Sequence, residues 1–218
     1  MAAEDTKRKL ISVANKMLQE VGFENVSARA IAKEAGCTAT VIYKYFDNLN
    51  YLLTLASLSE LEKYNKENMW VDRTIQNPIL RNEMSWEVFL RHAFRNVPIY
   101  VNLFWGEGSM YFEEASIEYF QMFPDKWKNE NAAIFYTSYF SSDIEERDYT
   151  ILRLAANQGY LTMEDAHYLS QINAKITHAS LLEHKKDYKD PIVANKAAEK
   201  CYKLIQKNFE KCLLKDIE

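Results

Sequence analysis

Residues 25–50 read NVSARAIAKEAGCTATVIYKYFDNLN, and the fold of the N-terminal part of the chain follows from this stretch. Its apolar side chains recur at the three- and four-residue spacing that places them on one face of a helix. They form two sets, which are Ile31, Ala32 and Ala35 before Gly36, and Ile42 and Phe46 after it. The stretch therefore predicts two short amphipathic helices joined by a tight turn at the glycine.

The residues that flank these two helices carry the signals of helix ends. Ser27 is a suitable N-cap for a helix over 28–35, and Thr38 for a second helix that ends near Phe46. Ala32 is small enough for the two backbones to cross closely. This is the arrangement of a helix-turn-helix, whose second helix can enter the major groove of DNA. A small helical hairpin with a solvated polar face fits the same periodicity.

Several side chains on the outward face of this motif have the chemistry of DNA contacts. Tyr43 and Tyr45 can donate hydroxyl hydrogen bonds to phosphates, and Lys44 adds a positive charge. Thr38 stands at a helix N-terminus, which is itself a phosphate site. Arg29, in the first helix, is the candidate for a contact with a base edge.

A longer pattern resembles the N-terminal domain of TetR-family transcriptional regulators. It covers roughly residues 7–55 without gaps, and its positions are Ala14, Leu18, Gly22-Phe23, Ser27, Ile31-Ala32, Ala35-Gly36, Ile42-Tyr43 and Tyr45-Phe46. The resemblance implies a homodimer that binds a palindromic operator and a repression that a small ligand relieves. It also implies that Tyr43 contacts phosphate and that residues 39–41 face the bases. The predicted DNA-binding residues are thus Ser27, Arg29, Thr38, Ala39, Thr40, Val41, Tyr43, Lys44 and Tyr45.

Glycine and proline are scarce in the chain, with five and four copies among 218 residues. Sheets and barrels need many tight turns, and tight turns need these two residues. We therefore predict an all-α chain of about nine to ten helices. Residues 1–50 would form a three-helix helix-turn-helix domain for DNA binding. Residues 51–218 would form a larger helical domain for ligand binding and dimerisation.

Caps and breakers predict where the helices lie. The first helix is expected to end at Gly22, and a single long helix to run from about Asn50 to Trp70. A loop or a frayed helix end over 71–84, and then a helix capped by Ser85 and interrupted by Pro98, should follow. The remaining expected elements are a break at Trp105–Gly108, a helix from Pro124 to near Phe140, and helices opening at Ser142, Thr162 and Asp190-Pro191.

Aromatic residues are concentrated in one part of the chain. Residues 81–140 hold 16 of the 29 aromatic side chains. Many are Tyr or Trp, whose polar tips need partners when they are buried. The concentration is compatible with a dense core, but as a whole it favours a pocket for a small, largely apolar or aromatic ligand. The predicted ligand-binding residues are Tyr100, Trp105, Tyr111, Tyr136 and Tyr139.

The two C-terminal helices each carry a wide face of small and apolar residues. These are Ala166, Leu169, Ile172, Ile176 and Ala179 in one, and Ala194, Ala197, Ala198, Cys201, Ile205 and Cys212 in the other. The faces could pack on the chain's own core. The family resemblance favours instead a four-helix bundle formed with a second subunit, and hence a homodimer through these helices. A redox role of Cys201 and Cys212 stays open, although buried cysteines are usually inert.

Charge and motif content exclude or weaken several other functions. The net charge of −4 gives no global attraction to polyanions, although residues 1–50 alone carry a net charge of +1. No signal peptide, membrane span, zinc spacing or Gly-rich phosphate loop is recognisable, so we expect a cytoplasmic protein without cofactor or metal that is not an enzyme. Glu164 and His167 form only half of a di-metal motif. The alternatives are a DNA-binding structural protein without a ligand and, less favoured, a helical enzyme.

Overall fold

A computed structural model describes residues 2–124 and 141–215 of the chain. These residues form eleven α-helices and no strand, so the predicted all-α class is confirmed. The helices are α1 Ala2–Val21, α2 Ala28–Ala35, α3 Ala39–Tyr45, α4 Leu49–Leu58, α5 Leu61–Thr74, α6 Pro78–Ala93, α7 Val97–Trp105, α8 Phe112–Met122, α9 Ile144–Asn157, α10 Met163–Glu183 and α11 Pro191–Cys212. The helix predicted from Pro124 to near Phe140 lies outside the described residues.

The chain divides into two compact units, each built from two separate stretches. The first unit comprises Met1–Glu62 with Asn102–Ser142, and the second comprises Lys63–Val101 with Asp143–Glu218. The predicted division of the chain at residue 50 stays a prediction.

The core of the first unit forms around α1 and α4. Helix α1 buries Leu10, Ala14 and Leu18 and packs against α2 and α4. Helix α4 is buried along its whole length from Tyr51 to Leu58 and also packs against α8. Such a helix has neighbours on all sides, so it holds the helix-turn-helix and α8 in one body.

The predicted caps are confirmed for three helices. The side chains of Ser27, Thr162 and Asp190 each accept hydrogen bonds from backbone N–H groups in the first turn that follows. Thr38 occupies the N-cap of α3, but its side chain makes no such bond. At the start of α9 the capping residue is Asp143 rather than Ser142, since the Asp143 carboxylate accepts from the N–H of Glu146 at 3.0 Å.

The single helix predicted from Asn50 to Trp70 is wrong, because the structure breaks it after Leu58. Continuing the helix would require the Ala56 carbonyl to accept from the N–H of Glu60. That carbonyl instead accepts from Asn15 Nδ2 of α1 at 3.0 Å and from Ser59 Oγ at 2.9 Å. The N–H of Glu60 turns to the Ser57 carbonyl, and α5 begins at Leu61.

The loop or frayed helix end predicted over 71–84 is also wrong. Helix α5 continues to Thr74, and α6 begins at Pro78 with Asn77 as its cap, whose side chain accepts from the N–H groups of residues 79 and 80. Ser85 therefore lies inside α6 instead of capping it. Pro98 does not interrupt a helix but sits in the first turn of α7, where its missing N–H has no intrahelical partner to lose.

The second unit is formed mainly by α6, α9, α10 and α11, which pack against one another. The small residues of the two C-terminal helices face this core, with Ala166, Leu169, Ala194, Ala197 and Cys201 all buried. Of the other residues on these predicted faces, Ile172, Ile176, Ala198 and Cys212 are half-buried and Ala179 is exposed, so a homodimer through these helices stays a prediction. Within the described ranges, no helix is long and apolar enough to cross a membrane.

Candidate nucleic-acid interface and effector region

A left-handed glycine forms the turn between α2 and α3. Gly36 has φ 72° and ψ 34°, a conformation that costs other residues energy through their Cβ atom. Its N–H bonds the carbonyls of Ala32 and Lys33, and the next N–H, of Cys37, returns to Ala32 at 2.9 Å. The turn brings α2 and α3 into contact, with Ile31 of α2 and Ile42 of α3 both fully buried.

This turn leaves one face of α3 open to solvent. Tyr43 is 55% exposed although it is large and aromatic. Lys44 is also exposed, and its Nζ lies 5.8 Å from the centroid of the Tyr45 ring. A rigid aromatic hydroxyl next to a cation is suited to phosphate oxygens, because both donate and the tyrosine loses little conformational freedom.

The predicted DNA-binding residues all lie in or beside this motif. Those with exposed side chains are Ser27, Arg29, Thr38, Thr40, Tyr43 and Lys44, and those that are half-buried are Ala39, Val41 and Tyr45. Ser27 is engaged as the cap of α2, with its Oγ accepting from Ala30 at 3.3 Å. The assignment of these residues to DNA contacts stays a prediction.

A polar network within the first unit connects the motif's helices to α8. Glu118 of α8 accepts a hydrogen bond from the Tyr51 hydroxyl at 2.5 Å and forms an ion pair with Lys7 of α1. Lys7 also lies over the Phe46 ring, with its Nζ 5.3 Å from the centroid. Burial, followed by the Glu118 carboxylate, raises the pKa of Tyr51. One carboxylate thus holds side chains from α1 and α4, the helices against which the motif packs.

The predicted ligand-binding residues are distributed over both units. Tyr100 is fully buried in the second unit. Trp105 and Tyr111 belong to the first unit, where Tyr111 accepts a hydrogen bond from Asn48 at 3.1 Å. Tyr136 and Tyr139 lie outside the described residues. The ligand-binding role of all five stays a prediction.

In the second unit, Tyr100 belongs to a cluster of aromatic rings. The Phe89 ring lies edge-on to Tyr100, Tyr64 and Trp86, with centroid distances of 5.5, 5.6 and 5.8 Å. The Tyr64 hydroxyl accepts a hydrogen bond from the Arg147 guanidinium at 2.8 Å. Three helices, α5, α6 and α7, supply the rings, so this aromatic cluster depends on their packing and was not recognisable as a unit in the sequence.

A buried carboxyl lies at the edge of this cluster. Asp148 of α9 is 6% exposed, and its Oδ1 accepts from Asn82 Nδ2 at 2.5 Å and from Trp86 Nε1 at 2.8 Å. Burial raises its pKa to about 6, and the hydrogen bonds from Asn82 and Trp86, together with the nearby Asn173 amide, oppose that rise. Sequence reasoning missed Asp148. The one signal in the sequence was its spacing, because Asp148 lies four positions after Ile144 and four positions before Leu152. This spacing places an acidic residue on the apolar face of a helix.

A surface groove of about 410 Å³ lies between α5 and α6 in the second unit. Its lining combines the apolar side chains of Trp70, Val71, Met84 and Val88 with the charged side chains of Lys66, Glu67, Glu87 and Arg91. Arg91 donates to Glu67 at 2.8 Å, so part of the charge in the groove is already paired. Nothing in the sequence indicated this groove.

Cys201, Cys212 and the half di-metal motif are the remaining candidates for a reactive site. Burial raises the pKa of the Cys201 and Cys212 thiols, which disfavours the reactive thiolate. Among residues 2–124 and 141–215, no group of three His, Cys, Asp or Glu side chains is placed to hold a metal ion.

Comparison with solved structures shows the same fold in transcriptional regulators. RolR in complex with resorcinol is 16% identical, with 98% of this chain and 97% of that chain covered and a TM-score of 0.57. The Thermus thermophilus FadR, a TetR-family transcriptional repressor in complex with lauroyl-CoA, is 14% identical, with 97% and 96% covered and a TM-score of 0.57. At these identities the likeness concerns the fold. A search of curated protein sequences finds no match.

The family comparison concerns the N-terminal residues directly. Residues 10–53 match the model for bacterial regulatory proteins of the tetR family. The match spans most of α1, the whole helix-turn-helix and the start of α4, and so it contains Gly36 and the exposed face of α3. In residues 10–53, therefore, the chain is similar to bacterial regulatory proteins of the tetR family.

Proposed function

We propose that this protein is a homodimeric transcriptional repressor that binds a palindromic operator and is released from it by a small, largely apolar or aromatic effector. The observation that carries the proposal is the exposed face of α3 within a TetR-family helix-turn-helix. Tyr43 and Lys44 are exposed on α3, whereas Ile42 on the opposite face packs against α2. Tyr43 and Lys44 thus have the chemistry and exposure of phosphate contacts.

The effector half of the proposal is supported by the ligands of proteins with this fold. RolR binds resorcinol and the Thermus FadR binds lauroyl-CoA, so the fold accommodates both a small aromatic ring and a long acyl chain. In this chain the second unit contains the aromatic cluster around Phe89. Release would follow from population shift, because an effector that binds only a conformation unsuited to the operator lowers operator affinity.

The dimer half is supported by apolar side chains that remain exposed on the two C-terminal helices. They are Tyr168 and Leu182 on α10, and Ile192 and Leu204 on α11. These exposed side chains are available for packing against a second copy. A palindromic operator requires such a two-fold partner, since each half-site is read by one helix-turn-helix.

The proposal is tested by selecting binding sites from a random duplex DNA pool with the full chain and measuring affinities for the selected site and for random DNA. Tyr43→Phe removes one phosphate-directed hydroxyl and should weaken binding to both DNAs by a similar factor, about two- to tenfold. Arg29→Ala should reduce the preference for the selected site more than it reduces binding to random DNA.

Two variants outside the motif control for general effects of these changes. Tyr149→Phe removes a hydroxyl in α9, and Arg153→Ala removes an exposed cation in the same helix. Neither should change the affinity for DNA. Equal affinity of the unaltered protein for selected and random DNA at moderate salt would contradict operator recognition. Wild-type affinity in both Tyr43→Phe and Arg29→Ala would contradict the docking of α3.

A further inference from the structure

The Asp148 carboxylate lies where three helices of the second unit meet. Its own helix is α9, and the side chains that approach it come from α6, with Asn82 and Trp86, and from α10, with Asn173. Asn82 and Asn173 are fully buried. Ser170 and Thr177, on the same face of α10, are buried as well, so a polar cluster occupies part of an otherwise apolar interior.

The hydrogen-bonding capacity of this polar cluster is not used up. Both donors on the carboxylate go to Oδ1, and Oδ2 has no partner within the described ranges of the chain. The same holds for Asn82 Oδ1 and for both amide atoms of Asn173, although the Asn173 amide lies close enough to Asp148 to lower its pKa. Buried polar groups without partners are costly, and each one in a native protein requires a reason.

The unused groups are mainly acceptors. Two of them are amide oxygens, Asn82 Oδ1 and Asn173 Oδ1, which can only accept hydrogen bonds. Asp148 Oδ2 can likewise only accept while the carboxyl is ionised, and Asn173 Nδ2 is the one donor in this set. With a pKa of about 6, Asp148 is mostly ionised at neutral pH. A molecule that suits these groups must bring hydrogen-bond donors. A ligand anion would instead face a buried carboxylate, which disfavours it.

The aromatic cluster begins where the polar cluster ends. Trp86 belongs to both, since its Nε1 donates to Asp148 while its ring lies 5.8 Å from the Phe89 ring. Beyond Phe89 lie Tyr100 and Tyr64. A ligand that reaches the carboxylate would thus have aromatic edges and faces against the rest of its surface, which is favourable for a planar ring.

We propose that the polar cluster of Asp148, Asn82 and Asn173 is the recognition end of the effector site, and that the effector is a small aromatic molecule with hydroxyl or amino donors. This inference rests on the proposed function, because it names the chemistry of the effector. Asp148 accepts the donor through Oδ2, Asn82 and Asn173 orient it, and the rings of the aromatic cluster contact the apolar part. An analogue without the donor should bind more weakly, because it would leave these buried polar groups without a hydrogen-bond partner.

The test compares two probes that share a ring and differ in donors. Resorcinol, or 1,3-dihydroxybenzene, carries two hydroxyl donors, and 1,3-dimethoxybenzene carries none. Calorimetric titration of the full chain should show binding of the first and at least about tenfold weaker binding of the second. Benzoate, which places an anion on the ring, should bind more weakly than resorcinol. None of these comparisons needs an altered protein.

Variants of the protein then test whether resorcinol binds at the polar cluster. Asp148→Asn keeps the shape and removes the charge, so it should weaken resorcinol binding by about tenfold or more. Glu145→Gln makes the same chemical change on α9 in a carboxylate that is paired with Lys175 at the surface, and it should leave binding unchanged. Trp70→Ala, in the groove between α5 and α6, should also leave binding unchanged.

Several results would overturn the inference. These are equal affinity for resorcinol and its dimethyl ether, no binding of either, wild-type affinity in Asp148→Asn, or a loss in Trp70→Ala alone, which would place the probe in the groove. Failure of this inference is distinguished from failure of the proposed function by measuring the affinity of the same protein for the selected DNA. Site-specific DNA binding that an apolar ligand relieves would preserve the repressor and exclude the donor-bearing effector.

Discussion

Asp148 shows how a single side chain acquires properties that its sequence neighbours do not reveal. It stands in a charged stretch, Glu145-Glu146-Arg147-Asp148, whose other members are all at least partly exposed. The helical rotation buries only the fourth of them, Asp148, between α6 and α10. Removal from water then raises the pKa of the carboxyl, since the interior stabilises the charge less well than water does.

The raised pKa of Asp148 predicts a specific pH dependence of stability. Because burial raises this pKa from 3.8 to about 6, the folded chain retains a proton that the unfolded chain has already released in the interval between those values. The contribution of Asp148 to the free energy of unfolding therefore falls as pH rises through that interval, by about 3 kcal/mol in total.

Urea unfolding of the wild type and of Asp148→Asn measures this dependence. The stability of the variant relative to the wild type should increase by about 2 kcal/mol between about pH 4 and about pH 7, since the amide does not titrate. Glu145→Gln serves as the control and should show no comparable change over the same range. A difference between wild type and Asp148→Asn that stays constant with pH would contradict the burial of an ionisable group.

At the scale of the element, local signals were reliable where the polar side chain and its backbone partner lie within one turn. Ser27, Thr162 and Asp190 were recognisable as caps from their position before an apolar periodic stretch, and the structure confirms all three. The Asn77-Pro78 start of α6 carries the same signal as Asp190-Pro191 and was misread as part of a loop.

The break between α4 and α5 has a different origin. The stretch from Asn50 to Trp70 contains no glycine or proline, so its own residues give no reason to end a helix. Asn15, more than forty residues away in α1, takes the Ala56 carbonyl and contacts Ser59 and Glu60 as well. A side chain from another helix thus competes with the backbone, and only the packing of α1 on α4 makes that competition possible.

Two threonine caps allow the capping interaction to be measured against a matched control. Thr162 accepts from the N–H of Asp165 at 2.9 Å and donates to its carboxylate at 2.6 Å, whereas the side chain of Thr38 makes no capping bond. Thr162→Ala should lower the free energy of unfolding by about 1 kcal/mol. Thr38→Ala should change it by less than about 0.5 kcal/mol.

Chemical denaturation of both threonine variants under one set of conditions gives the two values. Equal losses would show that the hydrogen bond of Thr162 contributes nothing beyond the exchange of threonine for alanine. A larger loss in Thr38→Ala would contradict the cap geometry of α3.

At the scale of the whole molecule, the two C-terminal helices of the second unit carry several large apolar side chains that are exposed. Leu182 and Leu204 are 49% and 43% exposed. Single exposed apolar residues are ordinary, but these two lie on the helices that the family resemblance assigns to the dimer. The homodimer through α10 and α11 therefore stays a prediction, with Leu182 and Leu204 as exposed side chains that a second copy could cover.

Placing charges on that face should dissociate the dimer. We expect the wild type to sediment as a dimer and the double variant Leu182→Glu, Leu204→Glu to sediment as a monomer at the same concentration, because two carboxylates per subunit would be buried at the interface. Leu154→Glu, which charges a side chain of α9 that is 41% exposed, is the matched control and should stay dimeric. A monomeric wild type, or a double variant that stays dimeric, would exclude this interface.

The sequence by itself determined the helical class, the helix-turn-helix and most helix starts. Each of these depends on contacts within a few residues: the scarcity of glycine and proline, the four-residue spacing of Ile42 and Phe46, and the turn at Gly36. Only the tertiary structure decided the break that Asn15 causes, the inward face of the C-terminal helices and the meeting of Asp148 with Asn82 and Trp86. These depend on which helices pack together. Packing sums weak, long-range contacts that no local pattern records.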